Sequence, residues 1–299
     1  MKSINKILVV LNVYKDFRNE PDHLPLEVKK ALRLVSDTST AHLVLVGCGF
    51  EEYLHEAYSS YAKDAVEQRK VFCQQMEDRL QIISNTLMAQ GVSSECKVHW
   101  TYPRYEQIAK EALDYDVDLV VQHVNPDLEI EHNVLSNDSW QLVRTCPKPL
   151  LLTKGKEWPE QPVIMAAVDP VHKHHKPLQL DNAIIDVAKT AKNLLGGELH
   201  IVHAYAESAR IFNKTGEIEA EHRKALDELL GENEWKPESI HMVDETPVLA
   251  IIHCQDELDA SIIVLGALSR SRISDAIIGN TAEQALDYAK SDLLIIKPA

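Results

Sequence analysis

The chain has 299 residues, of which 45% are hydrophobic and 26% are charged, a composition typical of a folded globular protein. Lys and Arg number 31 against 46 Asp and Glu, so the formal net charge is −15 and nucleic acid and anionic membrane surfaces are disfavoured as partners. No apolar run approaches the roughly 18–20 residues that span a bilayer. The five scattered cysteines match no zinc-binding spacing, which predicts a cytoplasmic protein with reduced thiols.

Strand and helix patterns alternate along the first half of the chain. Short apolar runs rich in β-branched residues, Ile7–Val13, Ala41–Cys48 and Val117–His123, predict buried strands. Apolar residues at helical spacing predict amphipathic helices over Leu26–Val35 and Tyr105–Asp116. This alternation is typical of a parallel sheet with helices on both faces.

The second half repeats the pattern of the first. Matching segments are 157 positions apart in the early strands and 143 apart later, so the first half carries about 14 extra residues, expected around residues 50–95. The matched segments are Ile7–Val13 with Ile164–Pro170, Ala41–Cys48 with Glu198–Tyr205, Val117–His123 with Ala260–Gly266, and Ser136–Lys154 with Gly279–Lys297. The polar, proline-containing stretch Lys154–Pro162 predicts a boundary between domains at 1–155 and 161–299.

The predicted fold class is α/β, with two tandem doubly wound domains that each hold a mainly parallel five-stranded sheet. Helical patterns at Leu180–Leu195 and Val248–Asp259 complete the second domain. Each half ends in an apolar strand, Lys148–Lys154 and Ser291–Lys297, which would be an aggregation-prone edge if it were left unpaired. We therefore expect these two strands to pair with each other in an internal pseudo-dimer.

The C-terminal segment resembles the universal stress protein family. The resemblance rests on a first strand ending near Asp169, a late strand ending at Gly266, the run Gly279-Asn280-Thr281 and the final "DLLIIKP". It covers the whole chain and is similar to the tandem members of the family. It implies an adenine nucleotide alpha hydrolase-like fold, a cytosolic stress-response role linked to survival of DNA damage without DNA contact, and action through binding, with no catalytic residues. The only cofactor that it implies is ATP or another adenine nucleotide.

The resemblance also implies candidate nucleotide-binding residues in the second domain. The family's loop has the form G-x-x-G, nine residues, then G followed by Ser or Thr, and this chain departs from it at two positions, with serine and asparagine. In this loop the glycine lets the backbone approach a phosphate, the arginines supply positive charge and the threonine caps the following helix. The candidates are Asp169, Gly266, Ser269, Arg270, Arg272, Gly279, Asn280 and Thr281.

The first half replaces these residues with groups that repel an anion. At the matching offset the two arginines become acidic and the capping threonine becomes Asp138, whose carboxylate would occupy the backbone N–H groups at the helix start. We therefore expect the first domain to lack an anion site and to act as a structural partner. The replacements are Asn12, His123, Pro126, Asp127, Glu129, Ser136 and Asp138.

Other interpretations of the sequence stay open. Residues 279–281 could simply start a helix without any ligand. A nucleotide hydrolase would need a general base and a metal-holding carboxylate, for which Asp169 and Asp275 are the candidates. A third alternative is a small-molecule or lipid carrier that uses a cavity between the halves. The cluster His172–His175 could hold a metal with Asp169 or His203, but its spacing fits no zinc pattern, so we predict no metal site. A further homodimer does not follow from the sequence.

Overall fold

We describe a computed structural model of the chain over residues 3–12, 24–50, 62–124, 137–171, 179–205, 217–231, 239–267 and 287–297. Over these ranges, no helix has the length and apolar character needed to cross a membrane.

Each repeat contributes five of the described strands, and the elements occur in the predicted order. The first repeat contains β1 (Lys6–Leu11), α1 (Leu26–Arg33), β2 (His42–Gly49), α2 (Ala62–Ala89), β3 (Ser93–Trp100), α3 (Arg104–Asp114), β4 (Leu119–His123), α4 (Asn137–Thr145) and β5 (Leu150–Thr153). The second repeat contains β6 (Val163–Ala167), α5 (Leu180–Leu195), β7 (Glu198–Ala204), α6 (Glu217–Leu230), β8 (Ile240–Val243), α7 (Pro247–Leu258), β9 (Ile262–Gly266) and β10 (Asp292–Ile296).

The chain divides into two compact units. One unit comprises residues 2–123 and 137–148, and its strands are parallel in the order β3-β2-β1-β4. The other comprises residues 124–136 and 149–299, with the strand order β5-β10-β9-β6-β7-β8. Every pairing within this second order is parallel except that of β5 with β10. The predicted α/β class with a mainly parallel sheet is confirmed. Strand β5 packs in the second unit, although the sequence repeat assigns it to the first half.

The strand registers of the two repeats correspond. Ile7 of β1 pairs with Leu119 of β4, and Ile164 of β6 pairs with Ile262 of β9. These pairs are related by the offsets of 157 and 143 that the sequence gives for those strands. The first and fourth strands of the two halves therefore pair in the same register.

The second strand of the repeat corrects the sequence-based alignment by one residue. Ile7 pairs with Leu43, whereas Ile164 pairs with Leu199, so the offset at this strand is 156 and the predicted 157 is wrong there. Strand β2 is almost continuously apolar, and such a run gives no alternation from which a register can be read. A slip of one residue exchanges the two faces of the strand, so the register decides which side chains of β7 meet which helices.

The extra residues of the first half lie where the sequence predicts them. In the first half, the paired residues Leu45 of β2 and Cys96 of β3 are separated by 51 positions in the sequence. In the second half, the equivalent pair Ile201 of β7 and Ile240 of β8 is separated by 39 positions. The connection between the second and third strands is therefore longer by 12 residues in the first half. Helix α2 has 28 residues and its counterpart α6 has 14, so the extra chain extends this helix.

Helix α5 packs against β6 and β9 and so supports the sheet edge at which the candidate site lies. Its buried residues Ile184, Ala188, Ala191 and Leu195 recur at helical spacing and form one apolar face. The helix ends at Gly196, whose φ of 65° is the left-handed conformation that favours glycine at this position.

Candidate functional site

The order of the strands locates a topological switch point in the second unit. From β6 the chain proceeds outward on one side through β7 to β8, and on the other side β9 is followed by β10. The direction of winding therefore changes between β6 and β9, and ligands of open α/β sheets bind outside the carboxyl ends of the strands at such a point. Asp169 follows β6 and Gly266 ends β9, so the structure brings these two predicted site residues to the same edge on neighbouring strands.

Hydrogen bonds fix the backbone at Asp169. The Asp169 amide donates to Oδ1 of Asp181 at 3.1 Å, and the amide of Val168 donates to the Val202 carbonyl oxygen at 3.0 Å. Asp181 is only 6% exposed and lies in the first turn of α5, where the helix dipole favours a negative charge. The buried carboxylate of Asp181 thus holds the backbone of Asp169 in place. The side chain of Asp169 is the one predicted to face a ligand.

Packing restricts the space at Gly266 independently of any ligand. A Cβ atom at this position would lie 2.7 Å from Cδ2 of Leu180 and 3.2 Å from Cδ1 of Ile184, both on α5. Real Cβ atoms essentially never approach a neighbour below 3.0 Å. The close approach of α5 to the end of β9 therefore explains this glycine of the predicted loop.

A pair of buried histidines lies next to Val168. His203 of β7 is 1% exposed, and its Nδ1 lies 3.0 Å from the carbonyl oxygen of Val168. Its Nε2 lies 2.8 Å from Nδ1 of His222 on α6, which is 3% exposed. From the sequence, His203 is interpreted as a satisfied core histidine, and as a further ligand only if His172–His175 held a metal. Its partner could have been noticed because His222 shares the buried face of α6 with Ile218 and Leu226.

The equivalent edge of the first unit carries an ion pair. Asp138 lies in the first turn of α4, and its Oδ2 accepts hydrogen bonds at 2.8 Å from Nε and from Nη2 of Arg104 on α3. Beside it, Nε2 of Gln122 donates to Oγ of Ser139 at 3.0 Å. The carboxylate that replaces Thr281 of the second repeat is thus bound to a guanidinium of its own unit. The prediction that it occupies the backbone N–H groups at the helix start is wrong, because Asp138 lies inside the first turn of α4 and within reach of Arg104.

Most of the predicted loop lies outside the described residues. This applies to Ser269, Arg270, Arg272, Gly279, Asn280 and Thr281, to Pro126, Asp127, Glu129 and Ser136 of the first half, and to the cluster His172–His175. The roles assigned to these residues stay predictions.

Within the described ranges no metal-ligand set is clustered, and two buried thiols are held in their protonated form. Within them, no group of three or more His, Cys, Asp or Glu side chains is arranged to hold a metal ion. All five cysteines are free thiols. Burial raises the pKa of Cys48 to about 12 and that of Cys254 to about 11, so both stay protonated at neutral pH and are poor nucleophiles.

The strand order defines a doubly wound α/β protein, a class whose known ligand sites lie at the carboxyl ends of the strands. The model of the family described as "Universal stress protein family" matches residues 163–297. Universal stress protein E of Escherichia coli is 30% identical over 225 residues, which cover 70% of this chain and 69% of that protein. The homolog of universal stress protein E from Haemophilus influenzae is 26% identical over 312 residues, with 98% and 97% covered. The chain belongs to the universal stress protein family, as its sequence predicts.

Solved structures agree with this assignment. A crystal structure described as a universal stress protein from Pseudomonas aeruginosa superposes with a TM-score of 0.75 at 28% identity and covers 99% of this chain and 94% of its own. A universal stress protein from Archaeoglobus fulgidus gives a TM-score of 0.67 at 16% identity with full coverage of both chains, which supports the fold alone.

Proposed function

We propose that this protein is a cytoplasmic stress-response protein that senses an adenine nucleotide through its second repeat only. It acts by binding, and its first repeat is a structural partner. The observation that carries the proposal is the position of Asp169 and Gly266 on neighbouring strand ends, in the repeat whose sequence also supplies Gly279 and Thr281. A carboxylate at this edge can accept hydrogen bonds from the hydroxyl or amine groups of a nucleoside.

The contrast between the repeats supports the restriction to one site. At the corresponding edge of the first unit, Asn12 and His123 replace Asp169 and Gly266. Asp138 replaces Thr281 there and is paired with Arg104 at 2.8 Å. A phosphate at that edge would meet a carboxylate that already has its cation, together with the acidic Asp127 and Glu129 of the same sequence segment.

The composition of the chain supports the proposed cytoplasmic location. It also supports leaving nucleic acid out of the proposed partners. The net charge of −15 opposes binding to phosphate backbones, so any role in survival of DNA damage would be exerted without contact with DNA. The five cysteines are free thiols, which fits the reducing conditions of the cytoplasm.

The proposal is tested by titrating ATP into the full-length protein and into Asp169→Asn, with release of inorganic phosphate followed in the same samples. We expect the wild type to bind one ATP, and the variant to bind about ten- to a hundredfold more weakly because one charge-assisted contact is lost. We expect no phosphate release above the rate in buffer. Sustained release would instead indicate a hydrolase.

Native mass spectrometry of the purified protein, before and after mild denaturation, identifies any ligand retained from the cell. An adenine nucleotide with one copy per chain agrees with the proposal. A retained lipid, or failure of ATP to bind to protein free of ligand, contradicts it.

A further inference from the structure

Strand β3 lies at the end of the strand order of its unit, and among the described strands it pairs with β2 alone. The amide of Thr101, directly after β3, donates to the carbonyl oxygen of Gly49 on β2 at 3.1 Å. Backbone groups alternate in direction along a strand, so the amides and carbonyls of Ser94, Cys96 and Val98 point away from β2. They form an edge to which another strand can be added.

Two charged side chains lie on one face of this edge. Nζ of Lys97 lies 2.6 Å from Oε1 of Glu95, and the two side chains are 35% and 41% exposed. Their hydrogen bond lowers the pKa of Glu95 and raises that of Lys97, so both groups are charged at neutral pH. On the other face, Oγ of Ser94 lies 2.9 Å from Oγ of Ser84 on α2. The charged pair therefore lies on the face of β3 that points away from α2.

The charges of β3 are complementary to those of its own reversed sequence. A lysine on an edge strand usually prevents pairing, because an added strand would bury its charge. Suppose instead that a second copy of β3 is added in the antiparallel direction, with the two Cys96 residues opposite each other. Glu95 of each copy then lies directly opposite Lys97 of the other. Opposite charges at facing positions stabilise a ladder, whereas like charges destabilise it.

Within β3, one symmetric alignment has this property. Centring the two-fold axis on either neighbour of Cys96 places two like charges face to face, and centring it two positions away gives neither charge an opposite partner. In the alignment centred on Cys96 the outward backbone groups also match. The two Cys96 residues would exchange backbone hydrogen bonds, and so would Ser94 of each copy with Val98 of the other.

We propose that β3 is a docking edge for a second copy of this chain, in an antiparallel β3–β3 ladder that is centred on Cys96 and selected by ion pairs between Glu95 and Lys97. The observation that favours a copy of the chain over a foreign strand is this self-complementarity of charge. The interface is distinct from the pairing of β5 with β10, which joins two strands of one chain. It does not depend on the proposed nucleotide site.

The first test measures the dimerisation of the full chain by sedimentation equilibrium at protein concentrations up to about 1 mM, the dissociation constant of a weak complex. We expect the wild type to dimerise. Glu95→Lys and Lys97→Glu should each weaken dimerisation at least about tenfold, because each change turns both ion pairs across the axis into repulsions. The control Glu228→Lys makes the same charge change at an exposed ion pair on α6 and should have no effect. A monomeric wild type, or equal weakening by the control, overturns the proposal.

The second test mixes the two charge-reversal variants. Glu95→Lys has lysine at both positions and Lys97→Glu has glutamate at both, so each variant repels itself but the two attract each other. We expect a mixed dimer at concentrations where each variant alone is monomeric. A merely structural role of these residues does not predict this recovery. Failure of the mixture to dimerise overturns the proposed register.

Disulfide trapping tests the register directly. The background is Cys73→Ser with Cys96→Ser, which removes the two cysteines that are not buried. In the ladder, Glu95→Cys of one copy would face Lys97→Cys of another in a non-hydrogen-bonded pair, whose Cα atoms lie about 4.5 Å apart and within reach of a disulfide. Mild oxidation of the mixed variants should therefore give a covalent dimer. Either variant alone should give little, because two identical positions lie about 7–8 Å apart on the diagonal. Equal trapping in the mixture and in the single variants overturns the ladder.

Discussion

Leu151 of β5 lies opposite Leu294 of β10 in an antiparallel ladder, and the two residues occupy equivalent positions of the two repeats. In the pairs on either side, a residue of one repeat lies opposite the equivalent of its partner's neighbour: Leu150 is equivalent to Leu293, and Leu152 to Ile295. The register therefore has two-fold symmetry about the central pair. The predicted pairing of the two terminal strands is therefore confirmed, and each apolar strand covers the other. The flanking pairs are Leu150 with Ile295 and Leu152 with Leu293.

Truncation of the central pair should destabilise the fold strongly. Leu151 is fully buried and Leu294 is 3% exposed, so replacing either one by alanine removes buried methyl groups and leaves a cavity. We expect each variant to lose about 2–5 kcal/mol in urea unfolding. Leu249→Ala, at a leucine that is 51% exposed, is the control and should change stability by less than about 0.5 kcal/mol. Losses at Leu151 no larger than that of the control would contradict the pairing.

The sequence predicts the order of the elements well because each strand and helix has its own apolar periodicity. Long-range details needed the structure. The continuous apolar run of β2 does not define a register, so the sequence repeat matches Leu43 with His200, one residue away from its structural equivalent, Leu199. Helical spacing places His222 on the buried face of α6, but no local pattern shows that it contacts His203, which lies 19 positions earlier on a strand. Gly266, predicted from a loop motif, also lies where α5 closely approaches the end of β9, which the sequence does not indicate.

A buried carboxylate fastens the linker between the repeats to the start of β10. Asp292 is 2% exposed and accepts hydrogen bonds from the backbone amide of Lys154 at 2.6 Å and from Nε1 of Trp158 at 2.8 Å. In Asp292→Asn the amide group can direct only one oxygen at these two donors, so one donor loses its acceptor. We expect a loss of about 1.5–3 kcal/mol in urea unfolding.

The matched control for this carboxylate is Asp256→Asn. Asp256 is half-exposed and pairs with Lys290 at 3.1 Å at the surface, so its loss should be below about 1 kcal/mol. Equal losses in the two variants would show that the linker is not held through Asp292.

Gly266→Ala separates packing from ligand binding at this glycine. The added Cβ would lie 2.7 Å from Leu180, so either the side chain or α5 must move. We expect a loss of about 1–3 kcal/mol in thermal or urea unfolding of the ligand-free protein, because overpacking strains the interface. Unchanged stability of the ligand-free variant would show that α5 adapts freely and that the glycine is not needed for packing.

Acid should weaken the fold partly through His241. Burial, followed by the charge of His200, holds the pKa of His241 below its ordinary value, although Glu257 acts in the opposite direction. The unfolded chain therefore takes up this proton first as the pH falls, so the stabilising contribution is complete above about pH 6.5 and is lost below it. His241→Gln should reduce the slope of stability against pH in that range, and His200→Gln should reduce it by less. An unchanged slope in His241→Gln would contradict this assignment.

The most direct test of the account is calorimetric titration of ATP into the wild type, Thr281→Asp and Asp138→Thr. Thr281→Asp gives the second repeat the residue of the first. A carboxylate at the start of the helix would repel phosphate, so we expect binding to be abolished. Asp138→Thr should leave binding unchanged, because Asp127 and Glu129 of the first repeat remain. Wild-type binding of one ATP, lost only in Thr281→Asp, is the predicted result. Binding that survives Thr281→Asp, or a second ATP bound by Asp138→Thr, would contradict a nucleotide site confined to the second repeat.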